Sequence, residues 1–364
     1  MFRSISLSLL VALFALSLFA QSIQKPTLTP KADSPEQTTI IREGIALHDK
    51  KVFDGAIAKY KRALAENPDS TLGLYELALS YYTKGDKTNA LETALRGSKY
   101  HSNELPMFFG IIANVLDDAG KPDEAIRIYR DAAKILKNEP DADRHLSSIH
   151  FNLGVTYVRQ KKYAEAREDL KKAIEYNPSY ASPHFLLGEV FNASRYKVPA
   201  ILAAARFVSL EYNTQRTVRS SAIVVGGIDS ANKDEKTGNI NIILDMNAPK
   251  DEGDFTMYDF LLPTLMSVKG EKDESKSKGE LFTESFESVV SMLSDDKKLR
   301  STFVGKIYVP YLVEMKNAGH TKTFCYLVLR QAGGNEEAKK WTDLNGDKVV
   351  AFINWAKNYA PTQK

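Results

Sequence analysis

The segment "DLNGDKVV" (343–350) opens Asp-x-Asn-x-Asp, the oxygen-donor spacing that begins a helix–loop–helix calcium site. Such a loop needs glycine at its sixth position for a sharp turn and a bidentate Glu at its twelfth. Lys348 and Asn354 stand there instead, so the segment is read as a turn into a last helix. "VVGGIDS" (224–230) sets glycines after an apolar run, but without Gly-x-Gly-x-x-Gly spacing it makes no phosphate cradle. The histidines are His48, His101, His145, His150, His184 and His320; none forms His-Glu-x-x-His or a zinc spacing with cysteine. His150 and His184 hold one position of an internal repeat where a packing aromatic is usual, which assigns them a structural role. Cys325, in "TKTFCYLVL", is the sole cysteine; with no basic neighbour to lower its pKa it is expected as a buried thiol. There is no Gly-x-Ser-x-Gly elbow, no Cys/His dyad is suggested, and no carboxylate pair stands out. Catalytic, cofactor and metal residues are therefore assigned to none.

The elements that carry these residues can be bounded next. A chain of 364 residues, 43% hydrophobic and 26% charged, suffices for about two domains with real cores. The net charge of +3, from 49 basic and 46 acidic residues, gives no concentrated basic face for nucleic acid. "MFRSISLSLLVALFALSLFA" carries Arg3, an apolar run from Ile5 to Phe19, and a small residue at Ala20. It is read as a signal peptide over 1–20, with an uncleaved membrane anchor as the alternative. The run is shorter than the roughly 20 residues of a spanning helix, and no later segment is long and apolar enough to span. The mature chain is thus expected to be soluble and periplasmic or secreted, with a flexible segment over 21–36. One cysteine permits no internal bridge, so its stability must come from an apolar core.

The strongest pattern is repetition. "FDGAIAKYKRALAENP" (53–68) and "YAEAREDLKKAIEYNP" (163–178) share an opening aromatic, small residues at matching places and a closing Asn-Pro. Ala56, Ala90, Ala125, Ala166 and Ala200 recur at steps of 34, 35, 41 and 34. Units are placed at 37–70, 71–104, 106–139, 147–180 and 181–214. The fourth is the fullest, with Leu153, Gly154, Tyr157, Ala166, Ala173 and Pro178. The fifth departs late, at Ala204 and Phe207. In each unit Gly or Ala of one helix faces Ala of the next, aromatics fill the gaps, and Pro68 and Pro178 end their helices. The 41-residue step implies a longer second helix or loop around 136–146. The weak fifth unit fits a terminal, capping role.

This pattern resembles the tetratricopeptide (TPR) family over roughly 37–214, whose repeat is a helix pair of about 34 residues. The resemblance implies an α-solenoid with a concave face lined by first helices. Its groove positions fall on Leu72, Tyr75, Leu79 and Tyr82, then Met107, Asn114 and Asp117. The fourth unit supplies Phe151, Asn152, Val155 and Arg159; the fifth supplies Phe185, Glu189 and Asn192. Such a face binds extended peptides or a partner helix. Some of these aromatics could instead pack against the C-terminal half. The carboxylate-clamp subclass is excluded: Asn114 and Asn152 match its asparagines, but Gly110, Ser182 and Leu186 occupy its cationic positions.

After Asn213 the period stops. "SSAIVVGGI" (220–228) and the alternating "NINIILDMNAP" (239–249) predict a β-hairpin over 220–249. Apolar–aromatic text resumes over 255–268, and "KGEKDESKSKGE" (269–280) predicts a disordered, solvated loop. Helices are expected over about 282–294, 299–318, 321–332 and 336–357, with Gly319 as a stop and Asn335 as a cap. "RFVSLEYNTQRT", "IYVPYLVEMKNAGHTKTFCYLV" and "WTDLNGDKVVAFINWAKNY" are similar to C-terminal regions of exported bacterial TPR proteins of uncharacterised role. The fold expectation is a mostly α protein: five helix hairpins, then a C-terminal α-rich domain (215–364) with a hairpin. The functional expectation is a non-enzymatic exported scaffold or adaptor binding a protein or peptide partner. The alternatives are an envelope hydrolase, with its site between solenoid and C-terminal domain, and a structural subunit of an envelope complex.

Overall fold

The structure is a computed structural model describing residues 23–139, 141–229, 232–233, 240–241, 247–272 and 275–359. The segment read as a signal peptide lies outside them. The chain divides into two compact units, residues 1–161 and 162–364.

The first unit holds α1 (Pro35–Asp49), α2 (Phe53–Glu66), α3 (Thr71–Lys84), α4 (Lys87–Gly97), α5 (Leu105–Asp118), α6 (Pro122–Leu136) and α7 (Ala142–Arg159). Several helices begin or stop for a local reason. Ser34 caps α1 in a reciprocal box with Gln37, and Ser70 accepts the Gly73 N–H at the start of α3. Gly85, at φ +91°, ends α3 in the left-handed region that a side chain disfavours. Neighbouring helices pack in chain order, and the first helices α1, α3, α5 and α7 also touch one another in succession. Small residues let them approach. A Cβ on Gly44 of α1 would stand 2.5 Å from the Tyr60 ring of α2, and one on Gly97 would stand 2.2 Å from Phe108.

Two expectations change here. The 41-residue step lengthens neither a second helix nor chiefly a loop: α6 stops at Leu136, and the following first helix starts early and runs 18 residues. Residues 27–33, expected to be flexible, form a strap. Thr27 and Leu28 donate their N–H groups to the Lys99 carbonyl, both at 2.9 Å, and His101 donates to Leu28 at 2.8 Å. Buried Asn67 donates to Lys31 O (3.0 Å) and Asp33 Oδ1 (2.9 Å), and Ser70 donates to Asp33 Oδ2 at 2.8 Å. A polar segment with few apolar residues is held here by buried amide and hydroxyl donors, a partner set invisible to composition.

The second unit holds α8 (Tyr163–Tyr176), α9 (Ala181–Ala193), α10 (Lys197–Leu210), α11 (Gln215–Ile228), α12 (Thr256–Lys272), α13 (Lys278–Asp295), α14 (Phe303–Asn317), α15 (Thr321–Ala332), α16 (Glu336–Leu344) and α17 (Gly346–Asn358). Every residue of α10 from Val198 to Ser209 is buried, because α9, α11, α12, α14 and α17 all pack on it. The expected capping role of the fifth pair is thus overturned: a terminal cap keeps a polar outer face, and "VPAILAAARFVS" has none.

The predicted hairpin is also corrected. Residues 220–228 continue α11, capped by a Thr214–Thr217 box; among the described residues that follow, Asn232 pairs with Asn241 and Lys233 with Ile240, antiparallel, while 234–239 and 242–246 of the predicted hairpin lie outside the described residues. Val and Ile favour strands only where strand neighbours exist; here α10 and α15 offer helix surfaces instead. The solvated loop is likewise smaller than expected. α12 runs to Lys272 and α13 starts at Lys278, where Ser277 and Glu280 form a capping box. The last predicted helix is two helices parted at Asn345, where "DLNGDKVV" turns from α16 into α17. Asn335 caps α16 and Gly319, at φ +73°, follows α14, both as expected.

Buried polar groups in this unit are neutralised by position. His184 is fully buried, with Nε2 3.0 Å from the Pro178 carbonyl and Nδ1 3.1 Å from the Tyr308 hydroxyl. A carbonyl only accepts, so Nε2 carries the proton and Tyr308 donates to Nδ1. Burial, reinforced by the Arg206 charge, pulls its pKa down to about 3. Arg206 lies 4.2 Å over the Tyr311 ring and donates to the Ala356 carbonyl at 3.2 Å, near the end of α17. Cys325 is buried, which pushes its thiol pKa well up.

Candidate functional site

The expected groove residues lie on first-helix faces. In the first unit Tyr75, Leu79 and Tyr82 come from α3, Asn114 and Asp117 from α5, and Phe151, Asn152 and Arg159 from α7. Arg159 is exposed and the others are half-buried, together with Leu72 and Val155. That stripe exists because the first helices pack through their third, fourth, seventh and eighth repeat positions, leaving the second, fifth, ninth and twelfth outward.

The two ends of this face differ. At the C-terminal end of the helices, the polar positions are spent on one another. Arg159 donates to Asp117 Oδ2 at 2.7 Å and to Asp118 Oδ1 at 3.3 Å, while Thr156 also reaches Asp117 at 3.3 Å. Tyr82 donates to Asp118 Oδ2 at 2.8 Å; its phenol is pushed up to about 12 by burial and by that carboxylate. Asn114 accepts from Tyr129 at 2.7 Å. Tyr82, Asp117, Asp118 and Arg159 therefore brace α3, α5 and α7 together. Tyr75 packs edge-on against Phe108, ring centroids 6.2 Å apart.

At the N-terminal end, α5 and α7 flank an open cleft of about 680 Å³. Met107 and Gly110 of α5 and Ser148 and Asn152 of α7 line it, over apolar Leu105 and Ile149. His101, Arg144, His145, Glu139 and Asp141 also line it. Burial, then the Arg144 charge, lowers the His145 pKa. Of the residues expected at the groove, Met107 and Asn152 reach this cleft. The sequence reading weighs His101 and His145 only as metal ligands and places neither them nor Arg144 at the groove, because all three fall outside the repeat marks; Arg144 and His145 belong to α7, which starts five residues before the unit boundary at 147. No marker in the 34-residue pattern covers such residues.

In the second unit, Phe185 and Glu189 of α9 are half-buried and Asn192 is exposed. Phe185 packs on Phe207, centroids 5.1 Å apart, with the Arg216 and Arg219 guanidinium groups of α11 at 5.4 and 5.7 Å. Glu189 pairs with Arg219. Asn192 lines a separate cleft of about 450 Å³ with Lys197, Ile201, Ile223 and Gly226. For Phe185, packing within the C-terminal half is what the structure contains.

Among the described residues, no group of three or more His, Cys, Asp or Glu side chains could hold a metal ion. None of the described helices is long and apolar enough to cross a membrane.

Comparison with known proteins agrees with the helix-pair geometry. Models of the tetratricopeptide repeat match residues 43–99 and 108–179. Mitochondrial import receptor subunit TOM70 of Rattus norvegicus is 34% identical over 67 residues, which is 18% of this chain and 11% of that protein. The chain thus spans about a tenth of that curated relative. A thermophilic TPR protein from Thermus thermophilus is 18% identical over 52% of this chain and 99% of its own, with a TM-score of 0.42. PilF of Pseudomonas aeruginosa is 18% identical over 53% of this chain and 83% of its own, with a TM-score of 0.45. Residues 43–99 and 108–179 are tetratricopeptide repeats, an architecture that generally mediates protein or peptide binding.

Proposed function

We propose that this protein is an exported, non-catalytic scaffold that holds a segment of a protein partner in the α5–α7 cleft of its first unit. One observation carries the reading: groove positions divide into a knit end and an open end. Where Tyr82, Asp117 and Arg159 sit, they are bonded within the protein, Tyr82 to Asp118 and Arg159 to Asp117. Where Met107 and Asn152 sit, a roomy cleft combines an apolar floor with amides, hydroxyls and imidazoles at its edges. A peptide backbone needs such donors and acceptors, and an apolar anchor supplies most of its affinity.

Export rests on the first twenty residues, with Gln21 as the mature N-terminus. Cell fractionation with N-terminal sequencing tests that part: an intact Met1 start on the exported protein would favour a membrane anchor. Binding is tested by affinity capture from native cells with the wild type and a Met107→Arg, Asn152→Arg variant. The wild type should retain a defined partner, and the variant should lose it with an unchanged melting temperature. Equal capture by both would overturn the cleft as the binding site.

A further inference from the structure

The connection between α4 and α5 supplies one wall of the first unit's cleft, which His101, Ser102 and Asn103 line. Little within the connection holds that wall. His101 and Asn103 are exposed, and the buried Ser102 Oγ has no hydrogen-bond partner among the described residues. Tyr100, just before the wall, is anchored: it is buried and donates its hydroxyl to Asp69 at 2.6 Å. Leu105, just after it, donates its N–H to the Ser102 carbonyl at 3.2 Å. Between the two, and among the described residues, the one backbone hydrogen bond donated runs from His101 to the Leu28 carbonyl, at 2.8 Å. His101 therefore lines the cleft while its N–H is held by the N-terminal strap.

The strap is itself fastened at both ends. Near its start Pro26 is buried, Leu28 pairs with Tyr100 in a parallel bridge, and Thr27 and Leu28 donate to Lys99. At its far end the Asp33 carboxylate accepts from Asn67 at 2.9 Å and from Ser70 at 2.8 Å, both buried. Hydrogen bonds to a carboxylate are stronger than those between neutral groups, so Asp33 is the firm end. A segment with no helix of its own, held by partners far along the chain, opens without opening the core.

We infer that the strap is a positioning element of the cleft: seated by Asp33, it holds residues 101–103 in the shape in which a partner segment is bound. The inference rests on the reading of this cleft as the partner's site. A wall that is already ordered does not have to be ordered by the partner, so affinity follows the seating of the strap. Asp33 acts through Leu28 and His101 and does not itself line the cleft.

Two variants of the mature chain test this. Asp33→Ala removes the acceptor of Asn67 and Ser70, and Leu28→Pro removes an N–H from a residue that is 43% exposed, so neither deletes a core side chain. In both, amide hydrogen exchange at His101 should speed up about tenfold while exchange within α7 stays as in the wild type. Asp33→Asn, which keeps an acceptor oxygen, should fall closer to the wild type. The binding probe is a peptide selected from a displayed random library and kept only if the Met107→Arg, Asn152→Arg variant loses it. Its Kd should rise about tenfold in Asp33→Ala and in Leu28→Pro. Unchanged His101 exchange in Asp33→Ala, or a probe held as tightly by both variants as by the wild type, would overturn the inference. If no selected peptide depends on Met107 and Asn152, the reading of the cleft fails instead, and exchange alone decides whether the strap holds the wall.

Discussion

The matching segments α2 and α8 share the repeat's small residues and closing Asn-Pro, and are opposites in environment. In α2, Ile57 is an ordinary core residue, and the Asn-Pro turn after the helix receives the strap. The matching residue of α8 is Arg167, almost as deeply buried but charged. It donates to Asp251 at 2.8 Å and lies 3.6 Å from Glu252, which Lys171 also meets at 3.0 Å. Tyr196 donates its hydroxyl to Asp251, and its ring lies 4.4 Å from the Arg167 guanidinium. One repeat pattern therefore serves as a plain element in a stack in α2 and, with different residues off the repeat marks, as the wall of an ion cluster in α8. A repeat specifies its hairpin; the residues off the repeat marks specify what the hairpin is packed into.

The largest expected effect contrasts one repeat position in the two units. Ala58 of α2 is exposed, whereas Leu202, at the same position of α10, is 1% exposed. Leu202→Glu should cost more than about 4 kcal/mol, since it buries a charge with no partner. Ala58→Glu should stay within about 0.5 kcal/mol. Chemical denaturation followed by circular dichroism reads both, and similar values would break the contrast between the units.

Arg167→Ile, which installs the residue of α2 in α8, removes one partner of a buried carboxylate. It should cost about 3–5 kcal/mol despite being the "repeat" residue. A melt equal to wild type would mean that the cluster is dispensable. In the first unit the comparison sharpens through glycine. Gly44→Leu, which must displace the Tyr60 ring, should cost about 1–3 kcal/mol or more. Gly110→Ala meets nothing within 4 Å and should stabilise α5 by up to about 1 kcal/mol. Reversed signs would refute the helix register.

The smallest effect per step is a pH slope confined to the second unit. His184 has its folded pKa lowered to about 3, below an unfolded value near 6.5, so the unfolded chain binds the extra proton. Stability contributed by its neutral form is complete above about pH 6.5 and falls as pH drops toward 3. The slope is at most about 1.4 kcal/mol per unit. His184→Phe should flatten that slope in urea titrations at stepped pH; an unaltered slope would assign it to other groups.

The paired-helix repeat and the stops at Asn67-Pro68 and Asn177-Pro178 were legible in the sequence, because close helix contact demands Gly or Ala at fixed spacing and proline cannot continue a helix. The count of five was too small, since helices continue beyond Asn213. Also legible were the buried thiol at Cys325 and the turn at Asn345, which rest on local chemistry. The sequence alone could not show that "SSAIVVGGI" is helix, that α10 is a core element rather than a cap, or that "TLTPKAD" (27–33) is bound. Each depends on which surface is presented from afar: α10 and α15 to α11, five helices to α10, Asn67 and Ser70 to Asp33. Local propensities differ by about 1 kcal/mol or less per residue, and burial against such surfaces outweighs them. The same limit divides the groove: Tyr82 and Asn152 read alike as groove positions, and only the partners brought by α5 and α7 close one end and leave the other open.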